Sequence, residues 1–205
     1  MGHRIKGILR LLENGIHLPP QLLASEEFKV MHISDTPSAI YGAVTGMMER
    51  LSPDLIVHTG DLADDIKLGE NPGYLDQYRR TAGPFLESLT LGAPRFVMVP
   101  GNHDFVPFVE SIVPAGSVVS PGSVIKADDE DIGVAHTLSD LPDGVRFNLY
   151  GHNFDVPVQE RGTVFLNGVA SINIILLPSG EVFRLPYPYG TNRHRKYKEN
   201  PPTLI

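Results

Sequence analysis

The chain has no cysteine among its 205 residues. Disulfides, thiolate zinc sites and cysteine nucleophiles are thereby excluded. Long apolar runs are missing as well, and none approaches the roughly 20 residues of a membrane span. The stretch Met1 to Asn14 is charged, and its apolar part is too short and interrupted for a signal peptide. Positive charge is in deficit, with 17 Lys and Arg against 24 Asp and Glu, a net charge of −7. That balance argues against non-specific nucleic-acid binding as the main activity. It favours solubility and metal binding, and it repels anionic substrates unless a cation sits in the site. Internal repeats and low-complexity segments are also absent. Together these features predict a cytoplasmic protein with neither a membrane nor a stable nucleic-acid partner.

What is present is ordinary globular composition, 41% hydrophobic and 20% charged, in a length that suits one domain with a substantial core. Three segments are expected: an N-terminal helical extension over 1–25, a core over 28–185 and an extended basic tail over 186–205. Ile5, Ile8, Leu9 and Leu12 recur at helical spacing and predict an amphipathic helix over 4–13. Its apolar face packs on the domain itself or, together with the tail, supports a homo-oligomer. Pro19-Pro20 then breaks the chain.

Phe28 to Ser34, Leu55 to Val57 and Arg95 to Val99 read as short apolar strands. Between them lie a helical stripe (Ile40, Val44, Met47, Met48, Leu51) and a helix over 73–82, interrupted by Gly83-Pro84, with Pro84 starting a second one. Such alternation predicts parallel pairing in a sheet covered by helices. Beyond residue 105, segments 117–119, 123–126, 132–136, 146–150, 162–166, 171–177 and 181–185 read as strands of a second, more antiparallel sheet.

Polar residues fall in order where apolar runs end: Asp35, Gly60-Asp61, Gly101-Asn102-His103-Asp104, His136 and Gly151-His152. Carboxyl ends of strands in α/β sheets are where loops converge on ligands. Asparagine and histidine are costly to bury without partners, so packing alone explains this set poorly. Oxygen and imidazole donors without sulfur suit Mn²⁺, Fe or Zn²⁺.

This order and spacing resembles the calcineurin-like metallophosphoesterase family over roughly residues 28–178. The family pattern is Asp-x-His, Gly-Asp, Gly-Asn-His-Asp/Glu, a lone His and Gly-His-x-His. The resemblance implies a four-layer α/β/β/α sandwich, two mixed sheets flanked by helices. It also implies two metals bridged by one carboxylate, with a hydroxide attacking phosphorus in line. Carried over, Asp61 bridges the metals, and Asn102, His136 and His152 complete the second metal's shell. Asp35 belongs to the first metal. His103 contacts the phosphate and serves as general acid, and Asp104 supports the turn and orients His103. Thr163 to Asn167 resembles the segment that follows the last motif in compact members.

Two positions depart from the pattern. Pro37 stands where the first motif has a histidine, and Phe154 where the last motif has one. Both losses fall on the first metal, so one firmly bound divalent metal and a second weak or absent one are expected. Asp64, Asp65 and Asp155 lie near the motif loops as carboxylates able to rescue the first site. His32 and His58 sit three residues before Asp35 and Asp61, on the opposite strand face, and are expected to bond locally. Tyr74, Tyr78, Arg79 and Arg80 line the cleft or form a solvated helix face, and Arg193 or Arg195 is a further candidate phosphate contact. Two functions follow: a metal-dependent phosphoesterase acting on a phosphorylated small molecule, monoester or diester, or a catalytically weak protein of the same fold serving as a binding or scaffold module.

Overall fold

The computed structural model of the chain describes residues 15–158 and 161–197. The predicted helix over 4–13 lies outside them, as does the tail from 198. The helices are α1 (Pro20–Ala24), α2 (Tyr41–Leu51), α3 (Leu75–Leu91), α4 (Val106–Glu110) and α5 (Thr191–His194). The strands are β1 (Phe28–Ile33), β2 (Leu55–His58), β3 (Arg95–Met98), β4 (Ser123–Ala127), β5 (Glu130–Val134), β6 (Phe147–Tyr150), β7 (Val164–Asn167), β8 (Ile172–Leu177) and β9 (Val182–Leu185).

Local chemistry explains most of these boundaries. The stripe Val44, Met47, Met48 and Leu51 is the buried face of α2. That helix stops at Ser52, which turns left-handed at φ 49° and gives its N–H to the Met48 carbonyl. Pro20 opens α1 at a position where a missing N–H is harmless, so the proline pair begins a helix as well as ending the preceding segment. The expected interruption at Gly83-Pro84 does not occur, and α3 runs through it. Pro84 faces solvent, where water can satisfy the carbonyl its ring deprives of a partner. Its neighbours Ala82, Phe85, Leu86 and Leu89 are buried, and their packing holds the helix together.

The fold is a mixed α/β architecture with two mixed sheets. The first has the order β3-β2-β1-β8-β9 and the second β4-β5-β6-β7. β1, β2 and β3 are parallel, whereas β8 and β9 join antiparallel. In the second sheet only β4 and β5 pair antiparallel, and β5-β6 and β6-β7 are parallel. The expectation of a more antiparallel second sheet is therefore corrected. Short apolar strands carry no signature of direction, and the connections decide it. Residues 117–119 form a single bridge, Met98 to Val118, and not a strand.

Alternation along each strand separates two cores. Val30, Val57, Val97, Ile132, Phe147, Leu149 and Ile175 fill the space between the sheets. Met31, Ile33, Ile56 and Met98 face the other way and meet α2 and α3. Truncating wholly buried Phe147 to alanine is expected to cost about 3–5 kcal/mol. On the outer face of the second sheet, Pro142 lies over Gly133 and Asn148. The functional consequence is directional. Parallel β1, β2 and β3 end at one rim, and parallel β5 and β6 end facing it, so five strand ends open onto one cleft.

Candidate metal centre

The loops at that rim are tight. Asp35, Asp61 and His152 take left-handed conformations at φ 49°, 61° and 70°. Such strain costs about 1 kcal/mol or more per residue and collects at functional sites. Gly60, at φ 103°, allows a close approach that a side chain would block: a Cβ there would stand 2.5 Å from His136 Nδ1 and 2.6 Å from Gly101 N.

Four predicted ligands converge. Asn102 Oδ1 is 3.1 Å from His136 Nε2 and 3.0 Å from His152 Nδ1, and the two imidazole nitrogens are 3.1 Å apart. Asp61 Oδ2 lies 3.6 Å from His136 Nε2. Donor atoms about 2.0–2.1 Å from one ion at right angles stand about 3 Å apart, so this spacing fits a shared cation. His136 Nδ1 donates to the Thr59 carbonyl at 2.6 Å, which fixes the tautomer and turns the Nε2 lone pair toward Asn102. Two lone pairs then face each other. The amide orientation with oxygen toward the imidazoles is the one a cation selects; reversed, the amide would donate to His136 instead. Burial and then His136 hold the His152 pKa down, which keeps its lone pair available. Burial first, then Asp35, Asp104 and Asp64, push the Asp61 carboxyl well up. A cation at this point would relieve that crowding of carboxylates.

Asp104 clamps the site from beneath. It accepts from the backbone N–H groups of Asp61 (2.7 Å), Leu62 (2.9 Å) and Gly101 (2.8 Å), and from the Tyr78 hydroxyl (2.8 Å). Its place is to lock two loops together, and it makes no bond to the His103 ring. Tyr78 is thus buried structure, not cleft lining. His103 is 7% exposed, and its backbone N–H donates to Asp61 Oδ1 at 2.9 Å. Its Nδ1 lies 3.2 Å from Gly69 N and its Nε2 3.0 Å from the Asn102 amide nitrogen, so donors flank the ring on both sides. Burial, and then Lys67, bring its pKa down to about 4.

The half of the cleft around Asp35 is built differently. Asp35 Oδ2 accepts from Ser34 Oγ (2.5 Å) and His152 N–H (3.0 Å), and Oδ1 accepts from the Tyr197 hydroxyl (3.2 Å). Both oxygens are therefore engaged by protein donors. Phe154 packs edge-on against Tyr197, with ring centroids 5.4 Å apart. Pro37 leads into a short 3-10 turn at Ser38–Ile40. The predicted extended tail is corrected in part, since α5 folds back here and Arg195 is wholly buried. Its guanidinium donates to the carbonyls of Asp35 (2.6 Å), Val169 (2.7 Å) and Ser34 (3.1 Å). An arginine so spent on backbone is no phosphate contact.

Of the three candidate rescuing carboxylates, Asp65 accepts from Ser38 and Asp155 pairs with Asn153, while Asp64 faces the cleft. Asp64 Oδ1 accepts from Lys67 Nζ at 2.5 Å, and Oδ2 is buried without a partner. Burial and then Asp35 raise its pKa to about 6. Donor atoms of Asp61, Asp64 and His103 lie within 4.8 Å of one another. His32 and His58 are buried beneath the cleft, bonded to Thr59 (2.9 Å) and Thr36 (3.0 Å). Sequence reasoning missed Ser34, Lys67 and Tyr197 as parts of the site, and it read Arg195 as a phosphate contact where the side chain braces the loops from behind. None belongs to a motif, and no periodicity points to them.

The sequence profile of the calcineurin-like phosphoesterase family matches residues 28–201. None of the curated proteins compared with the chain matches it. Among solved structures, that of YfcE, a phosphoesterase from E. coli, aligns with a TM-score of 0.51 at 16% identity, over 78% of this chain and all of its own. A second aligns at 0.49 and 10% identity, over 79% of this chain and 99% of its own. The first likeness supports the fold. No helix among the described residues is long and apolar enough to cross a membrane.

Proposed function

We propose that this chain, which belongs to the calcineurin-like phosphoesterase family, hydrolyses a phosphate ester of a small molecule with one firmly held divalent metal, Mn²⁺, Fe or Zn²⁺. The observation that carries this reading is the convergence of Asn102 Oδ1, His136 Nε2 and His152 Nδ1 at 3.0–3.1 Å beside Asp61. These four side chains would hold the ion. Bound there, it supplies Lewis-acid polarisation of a phosphoryl oxygen and a more acidic water.

The chain's own groups do the rest. His103, as the imidazolium, donates a proton to the leaving oxygen. At a pKa of about 4 the free ring is neutral near pH 7. A bound phosphate anion beside it raises the imidazolium population, so general-acid behaviour depends on substrate. Asp104 positions His103 by fixing the two loops on either side of it. Asp35 acts as a hydrogen-bond acceptor that anchors the His152 loop.

A second reading, a binding module with little turnover, is favoured by Pro37, Phe154 and the engaged oxygens of Asp35. One experiment separates the two: Mn²⁺-dependent hydrolysis of a chromogenic phosphodiester and monoester by wild type, His103→Ala and Asn102→Ala. His103→Ala is expected to lower kcat by about 10²–10⁴-fold while Mn²⁺ binding by calorimetry stays intact. Equal rates in all three proteins would leave the binding module as the function.

A further inference from the structure

We propose that Lys67 takes the place left by the first metal: its ammonium binds a phosphate oxygen beside His103, so the centre works with one metal and one lysine. This rests on the phosphoesterase reading and specifies how its substrate is held.

The geometry has three parts. First, the ammonium is anchored in the cleft. Lys67 Nζ is 2.5 Å from Asp64 Oδ1 and 5.3 Å from the ring centre of Tyr197, the residue whose hydroxyl engages Asp35. Asp64 in turn lies with Asp61 and His103 in the second cluster of donor atoms. Second, the charge is nearly out of water. The Lys67 side chain is 13% exposed, and that of Asp64 is not exposed at all. A partly desolvated cation attracts an anion more strongly than a solvated one. Of the three N–H donors, one goes to Asp64, and the other two meet no acceptor among the described residues. Third, the backbone is constrained to aim it. Lys67 sits at φ 53°, and its carbonyl accepts from Glu70 N–H (3.0 Å), Asn71 N–H (3.0 Å) and the Asn71 amide (3.3 Å). A lysine in a left-handed turn fastened by three hydrogen bonds is costly for a surface side chain and understandable for one that must point into a site. Two residues on, Gly69 N–H holds His103 Nδ1, so one loop positions both groups that would touch the phosphate.

The charge argument agrees with this placement. Asp35, Asp61 and Asp64 are buried and Asp104 is half-buried. One divalent ion does not offset four carboxylates and an incoming phosphate, and Arg195 gives its donors to carbonyls behind the site. Lys67 is the remaining cation that faces the cleft among the described residues. It does so from the side on which the histidines at 37 and 154 are missing.

The test is titration of inorganic phosphate into Mn²⁺-loaded protein by calorimetry, for wild type, Lys67→Gln and Lys67→Arg, with Mn²⁺ stoichiometry measured on each. Glutamine can still donate to Asp64 and so keeps the loop anchored without the charge, and arginine keeps the charge. Lys67→Gln is expected to weaken phosphate binding about tenfold or more, the value of one charge-assisted hydrogen bond. Lys67→Arg is expected to stay within about threefold of wild type, and all three proteins to bind one Mn²⁺ with similar affinity. Phosphate affinity unchanged in Lys67→Gln would overturn the lysine assignment alone. Wild type that binds Mn²⁺ but no phosphate would overturn both this assignment and the phosphoesterase reading beneath it.

Discussion

The two halves of the cleft stand on the same scaffold and are finished in opposite ways. Around His136 the donor atoms face one another with their lone pairs uncommitted, and the outer nitrogen of His136 is tied to the Thr59 carbonyl. Around Asp35 every carboxylate oxygen already accepts a hydrogen bond, and an aromatic pair, Phe154 on Tyr197, fills the space nearby. On the proposed reading, a cation completes the first half. The second is complete without one. A carboxylate at a strand end therefore need not await a metal, because neighbouring side chains can satisfy both of its oxygens.

The sharpest way to break this comparison is to truncate one side chain in each half. His136→Ala is expected to weaken Mn²⁺ binding by at least about 100-fold, more than loss of an outer-shell partner costs. Phe154→Leu is expected to leave it within about threefold, because Phe154 carries no donor atom and packs on Tyr197. Calorimetric titration of both variants checks this. Similar losses in the two would mean that the halves share a metal site after all.

The platform beneath both halves gives the next largest effect. His32 bonds Thr59, whose carbonyl orients His136, and His58 bonds Thr36, next to Asp35. Burial depresses the pKa of each to about 3. Between pH 6.5 and 3 the unfolded chain binds more protons than the native one, so stability is present above 6.5 and is lost as pH falls through that window. From pH 7 to 5.5 the expected loss is about 1 kcal/mol for each histidine. Urea denaturation in chelator should show this, with His32→Gln losing about 1 kcal/mol less than wild type between pH 7 and 5.5. Identical profiles for wild type and His32→Gln would mean that this imidazole is not held neutral and does not support the His136 half.

How much of this was legible in the sequence follows from how each residue is placed. Asp61, Asn102, His136 and His152 end apolar strands, and parallel strands deliver their ends to one rim, so order along the chain became proximity in space. Lys67 and Tyr197 were illegible. One is aimed by a left-handed turn, and the other returns on a tail segment 162 residues away from its partner Asp35. Arg195 read as part of a basic tail and a candidate phosphate contact, and is buried against three carbonyls, because long-range hydrogen bonds leave no local pattern. Pro84 misled for the related reason that packing of Phe85, Leu86 and Leu89 overrides a local breaker. Strand direction in the second sheet was hidden because alternation of side chains is the same for both senses of pairing.

The smallest expected effect is also the most informative about how the Asp35 half closed. Restoring both histidines, Pro37→His with Phe154→His, supplies the two side chains that the family pattern places there. A second Mn²⁺ would still need an oxygen of Asp35, now held by Tyr197, and would still meet the Lys67 ammonium across the aromatic ring. Like charges at that range oppose entry, and the hydrogen bond to the carboxylate must be broken as well. The double variant is therefore expected to bind one Mn²⁺ per chain, the same number as expected for wild type. Adding Tyr197→Phe and Lys67→Gln removes both obstacles, and the stoichiometry should then rise toward two. Metal analysis of the three proteins decides the matter. Two ions bound by the histidine pair alone would show that Pro37 and Phe154 were the whole barrier. The tyrosine and the lysine would then only occupy space beside a site that never ceased to be a metal site.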